Sequence, residues 1–148
     1  MNYSVLDFLK TFGINTKTNF DLKEYSIKLD LPVKIIMNDE LHKINKTKKN
    51  NVIINYQNSN KNGSHWVCFK NRQLYFDSYG IKPTDEVEEF LNKDYIYNKL
   101  QVQPNNTNIC GVLCLYVLLM LNKTNLSFEN IVDNIYKDLE PLLRSSIS

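Results

Sequence analysis

HWVCFKNRQLYFD, residues 65–77, is the stretch on which the fold turns. Two runs, His65–Phe69 and Gln73–Asp77, are apolar at almost every position and flank Lys70-Asn71-Arg72, a hairpin connection. Strands that read this way are buried on both faces, as at the centre of a sheet covered by helices. In an antiparallel hairpin the numbers of paired residues have a constant sum, so loop length decides which side chains share a face. A two-residue loop pairs Lys70 with Gln73 and sets Asp77 on the face of Trp66, away from His65. A three-residue loop pairs Phe69 with Gln73 and sets His65 directly opposite Asp77; such loops are common, and this register is expected.

Working outward, Val52–Tyr56 is a β-branched run, and Leu31–Met37 is a further strand candidate. Between them lies a polar stretch, Asn38–Asn51, expected as a surface loop or irregular helix. Asn58–Ser64, rich in Asn, Ser and Gly, is a loop leading into His65. On the other side Asp77-Ser78-Tyr79-Gly80 turns the chain out of the sheet. Pro83–Leu91 is expected as a helix with its acidic residues at the start. Lys99–Gln103 is expected as a short strand ending in the polar turn Pro104–Asn108. Cys110–Leu121 has few polar positions and should be the buried central helix. The last helix is expected from Ser127, its N-cap, to Leu139 before Pro141, with Phe128, Ile131, Val132, Ile135 and Leu139 as its apolar stripe. At the other end residues 4–12 read as a short amphipathic helix capped by Ser4 and stopped at Gly13. Strands and helices together give one α+β domain over residues 1–148.

Composition excludes several function classes. With 43% hydrophobic and 23% charged residues the chain is neither disordered nor fibrous. A formal charge of +2 does not by itself imply a polyanion partner. Lys43, Lys46, Lys48 and Lys49 make the 38–51 stretch basic; a solvated face is the simpler reading, and a weak DNA contact the alternative. The start of the chain lacks the pattern of a signal peptide, and Val112–Leu121 falls short of the roughly 20 residues that span a bilayer. A soluble protein from a reducing compartment is expected, with no membrane partner. The three cysteines, Cys68, Cys110 and Cys114, show no disulfide framework spacing. No second pair or nearby histidine completes a metal site around Cys110 and Cys114, so no metal is expected.

A thiol nucleophile needs a base, a group to orient that base, and donors for an oxyanion. Cys110 stands where a polar turn meets an apolar helix, so its sulfur would feel the positive end of the helix dipole. Gly111 after it leaves room for a substrate carbonyl to approach the backbone. The bland alternative is an inert buried cysteine, which Cys114, in mid-helix, resembles more. His65 opens its strand after Gly63-Ser64, and Asp77 closes the neighbouring one; each could equally be a strand-end or turn residue. His42, the other histidine, sits in the basic stretch with no acidic strand partner. Cys68 alternates to the face opposite His65 and is expected in the core. Gln103 or Gln101, which share parity on one strand, could offer a carboxamide to an oxyanion beside the Cys110 N–H. Spacing does not choose between them.

In the order His65, Asp77, Gln103, Cys110, these residues resemble the cysteine proteases that include adenovirus protease and the ubiquitin-like-protein proteases. The likeness lies in Gly63-Ser64-His65-Trp66-Val67, in Leu74–Gly80, and in Gln103-Pro104-Asn105 through Cys110-Gly111, and covers roughly residues 30–121. It is nearest to the adenovirus-type proteases of large DNA viruses, virophages and Maverick-like elements, in which the oxyanion glutamine also precedes the nucleophile by seven residues. The resemblance implies a papain-like fold of the adenovirus protease type, with a mainly antiparallel central sheet and a buried helix carrying the nucleophile. It implies Cys110 as nucleophile, His65 as base, Asp77 as orienting acid and Gln103 as oxyanion donor. Trp66, beside the histidine in relatives, and Gly63 and Gly111 become substrate-binding candidates. The adenovirus enzyme carries Glu where Asp77 stands, whereas many relatives have Asp. That enzyme is stimulated by DNA and a viral peptide; here no cofactor is expected to be required. The implied task is cleavage of viral capsid or core precursors, after Gly or another small residue, in the virion and host cytoplasm. Deconjugation of ubiquitin-like proteins by the same site is the alternative, and a silent binding module of that fold a third.

Overall fold

A computed structural model of the chain describes residues 4–57 and 65–147. The loop expectation for Asn58–Ser64, with the substrate-binding candidate Gly63, lies outside the described residues. The architecture is α+β: a mixed five-stranded sheet in the order β1-β2-β3-β4-β5, with helices on both faces. The strands are β1 (Lys34–Met37), β2 (Asn51–Asn55), β3 (Trp66–Lys70), β4 (Leu74–Phe76) and β5 (Ile96–Tyr97). The central pairs β2–β3 and β3–β4 are antiparallel, but the edge pairs β1–β2 and β4–β5 are parallel. The sheet is therefore evenly mixed rather than mainly antiparallel. Each parallel edge follows from a crossover: a 3-10 helix, Asn38–Lys43, leads from β1 toward β2, and a helix lies between β4 and β5.

The hairpin register differs from expectation in an instructive way. Lys70 pairs with Leu74, Phe69 with Tyr75 and Cys68 with Phe76. Asn71 and Arg72 both have positive φ, 54° and 57°, as a two-residue type I′ turn requires, and the Gln73 N–H closes it onto the Lys70 carbonyl at 3.0 Å. A plain turn of that type would pair Lys70 with Gln73. Gln73 is instead an extra residue, a bulge, and it restores the parity that places His65 and Asp77 on one face. Continued to the strand ends, this register makes them diagonal neighbours, not directly opposed as expected.

Helix α4 (Cys110–Lys123) lies against the sheet and is buried at every residue from Cys110 to Met120. It meets Ile53, Trp66, Cys68 and Phe76 of the sheet, and Cys68 thus takes its expected core position. Around α4 pack α1 (Val5–Phe12), α2 (Asn19–Lys28) and α5 (Phe128–Ile147). Ser4 caps α1 by accepting from Asp7 N–H, and Ser127 caps α5 by accepting from Asn130 N–H at 3.1 Å. Helix α5 does not stop before Pro141. Leu139 and Leu143, one turn apart, are both buried, so continued packing outweighs the backbone donor that a proline lacks.

The opposite face of the sheet has its own core. Val52, Ile54, Val67, Phe69 and Tyr75 meet Val87 and Phe90 of α3 (Asp85–Phe90), together with Leu91 and Ile44. Strands β3 and β4 are consequently buried on both faces apart from the half-buried Lys70 and Leu74 beside the turn, as their composition implied.

Two elements went unforeseen. Helix α2 starts at a reciprocal capping box, in which Thr18 Oγ1 accepts from Asp21 N–H at 3.1 Å and the Asp21 carboxylate accepts from Thr18 N–H at 2.9 Å. Strand β5 occupies 96–97, whereas the strand expected over Lys99–Gln103 is irregular chain. Asn98 ends the ladder: its amide pairs with both the N–H and the C=O of Asp77, at 2.9 and 2.6 Å, as a neighbouring strand's backbone would. Among the described residues no helix is long and apolar enough to cross a membrane.

Candidate active site

The site forms where the strand ends of the central hairpin meet the first turn of α4. Cys110 is the first residue of that helix, preceded by Ile109 with non-helical dihedrals and no side-chain cap. The opening N–H groups of a helix lack intrahelical acceptors, so the sulfur sits among unshared donors at the positive end of the dipole. The Trp66 backbone N–H also points at Cys110 Sγ, 3.5 Å away, and suits a thiolate. Cys114, one turn on, is fully buried; burial pushes its thiol well above the ordinary range, and it donates to the Trp66 carbonyl. The two cysteines of one helix therefore differ in setting: Cys110 lines a cleft and Cys114 lies in the core.

His65 Nε2 lies 3.0 Å from Asp77 Oδ1, so the bulged hairpin does bring these two side chains together. The same Oδ1 accepts the Tyr79 N–H at 2.8 Å, while Asn98 grips the Asp77 backbone. Asp77 is 3% exposed and so held rigidly as both a turn residue and a partner for the imidazole. Burial alone would push His65 down. The hydrogen bond to Asp77, and next the one to Cys110, more than offset this and carry it from 6.5 up to about 9. With Nε2 engaged by Asp77, Nδ1 is the ring nitrogen left for the sulfur.

Gln103 is almost wholly buried and faces the same cleft, ≈ 150 Å³ in volume, that Cys110 and His65 line. Ser78 Oγ donates to its Oε1 at 2.5 Å, which orients the carboxamide with its NH2 toward the cleft. That Nε2 donates to the Thr107 carbonyl at 2.9 Å and to Tyr79 Oη at 3.2 Å. Gln101 is otherwise employed: it ties the Gln103 carbonyl and Asn105 together at the loop surface. Geometry thus separates the two glutamines that spacing left equal.

Other candidates fall differently. Trp66 lines the same cleft as Cys110 and His65, but most of its ring is core: it is buried against α4 with its indole N–H on the Lys17 carbonyl at 3.0 Å. Gly111 serves packing: a Cβ there would come within 3.2 Å of Leu22 and of Trp66, inside the molecule rather than in the cleft. The lysine-rich stretch is partly occupied by its own chain, with Lys43 on Glu40 at 2.9 Å and the Lys46 ammonium over the Phe90 ring. Lys48 and Lys49 are exposed. His42 is also exposed, on the 3-10 helix.

Ser78, Tyr79 and Asn98 were missed as site residues. The exit turn Asp77-Ser78-Tyr79-Gly80 was visible in the sequence, but which of its side chains turn back inward depends on the 98–103 loop. A larger groove, ≈ 360 Å³, lies between β5 and the start of α5 and includes neither Cys110 nor His65. No protein-family model matches the chain, and no curated protein matches it.

Proposed function

We propose that the chain is a cysteine endopeptidase of the adenovirus-protease type, with the papain-like fold that this type carries. The observation that bears most weight is the set of Cys110 at a helix start, His65 lining the same cleft with its protonated form favoured by that sulfur, and Asp77 on His65 Nε2. This is the geometry a thiol nucleophile needs: base within reach, base oriented by a third group. The order His65, Asp77, Gln103, Cys110 along the chain adds its likeness to that family.

In the proposed reaction the Cys110 sulfur attacks the scissile carbonyl carbon, and the C=O π pair moves to oxygen. Gln103 Nε2 and the Cys110 N–H stabilise that oxyanion. The pair returns, the C–N bond breaks, and His65 hands its proton to the departing amine. Water then adds to the thioester, His65 takes its proton, and the C–S bond breaks to restore the thiolate. Asp77 holds the His65 ring in place through both its protonated and its neutral stages.

The substrates proposed are viral capsid or core precursors, cut after Gly or another small residue during virion maturation, in the virion and host cytoplasm. Likeness to viral relatives supports that part. Co-expression with candidate capsid proteins tests it: wild type should process them, and Cys110→Ala should leave them intact by mass spectrometry. Equal processing by both would refute the assignment.

A further inference from the structure

Tyr79 is placed between both halves of the site. Its ring lies beside the His65 ring, centroids 5.3 Å apart and tilted by 38°. Its hydroxyl accepts the Gln103 Nε2 proton at 3.2 Å. A carboxamide nitrogen has two protons, and the other goes to the Thr107 carbonyl at 2.9 Å. In this resting state both protons are spent on the protein, so an oxyanion can be served only after one acceptor leaves. Thr107 is the less mobile of the two, since its carbonyl is backbone and its hydroxyl is tied to the Pro104 carbonyl at 2.7 Å. Tyr79 is half-buried, its bond is the longer, and its side chain swings about two torsions.

We infer that the Tyr79 hydroxyl occupies the oxyanion position of the unliganded enzyme and is displaced by the substrate carbonyl oxygen. Tyr79 is then a positioning residue with a dual effect. It keeps the Gln103 amide aimed into the cleft while the cleft is empty, and it competes with substrate for the same proton. Its ring contact with His65 stays available when the hydroxyl is removed.

The inference rests on the peptidase reading, and Tyr79→Phe tests it. Releasing one neutral hydrogen bond should raise kcat/KM roughly 3- to 10-fold and tighten a peptide aldehyde by a similar factor. The aldehyde reports on the oxyanion position because addition of Cys110 sulfur to its carbonyl carbon leaves the oxygen there. Alkylation of Cys110 by iodoacetamide forms no oxyanion, and its rate and pH profile should stay at the wild-type value. A kcat/KM or aldehyde affinity that is unchanged or lowered in Tyr79→Phe, with wild type active, overturns this inference and leaves the peptidase reading standing. A wild type that cleaves no peptide and binds no aldehyde overturns both.

Discussion

One oxygen atom, Asp77 Oδ1, ties the turn to the chemistry by accepting from both the Tyr79 backbone and the His65 ring. The hydrogen bond that the His65 ring donates to Asp77 is the largest influence holding His65 up near 9, and the carboxylate charge adds to it. On the peptidase reading the ring must keep its proton in order to pass it to the departing amine, so the alkaline limb of kcat/KM should lie near pH 9. Asp77→Asn removes the negative charge and should move that limb toward lower pH, with kcat falling roughly 10²-fold or more. A pH–rate profile with an unmoved alkaline limb would show that Asp77 does not act through the ring. At this scale the sequence was most legible for Cys110, whose helix-start position follows from composition alone. Gln103 was legible only beside its likeness to a family, because its rival Gln101 has the same parity. Ser78 and Tyr79 were not legible, since their partners sit on a loop that carries no periodic signal.

The elements were read best where period and composition agreed, as in β2, β3, α1 and α4. Helix α2 escaped because its apolar residues do not form one stripe: Leu22 is buried while Phe20 and Ile27 are 77% and 71% exposed. Its capping box was the available signal. The expected strand over 99–103 failed because Asn98 substitutes a side chain for the ladder, after which Val102 and Gln103 N–H both turn to the Ser78 carbonyl. That loop leans on Gly80, whose φ is +72° and where a Cβ would lie 2.8 Å from the Leu100 carbonyl carbon. Gly80→Ala should therefore cost about 2 kcal/mol or more, from the left-handed backbone and the clash together. Because the displaced loop presents Gln103, peptide hydrolysis at a temperature where the variant is folded should fall, while iodoacetamide labelling of Cys110 persists. A melting temperature equal to wild type would contradict this account of the turn.

Across the whole molecule, the sheet separates two cores, and the site lies at the end where its central strands and α4 converge. Folding and ionisation are linked there. His65 titrates near 9 in the folded chain against 6.5 ordinarily, so the protonated ring favours the native state. That contribution is present in full below pH 6.5 and is lost as pH rises through about 9. In a Cys110→Ala background, where no sulfur proton enters the balance, urea midpoints should fall as pH rises above about 6.5, and adding His65→Ala should flatten that part of the curve. A Cys110→Ala curve as flat as that of the double variant would show no such linkage.

Helix α4, apolar and buried from Cys110 to Met120, carries one more implication, about time. A helix with no water-tolerant face does not persist alone in solvent, and a short isolated helix is marginal in any case. Until the sheet and the surrounding helices wrap it, Cys110 has no aligned dipole above it, no Trp66 N–H and no imidazole. A nascent chain on the ribosome thus carries Cys110 without these neighbours, and the proposed nucleophile is assembled only as the fold closes around α4.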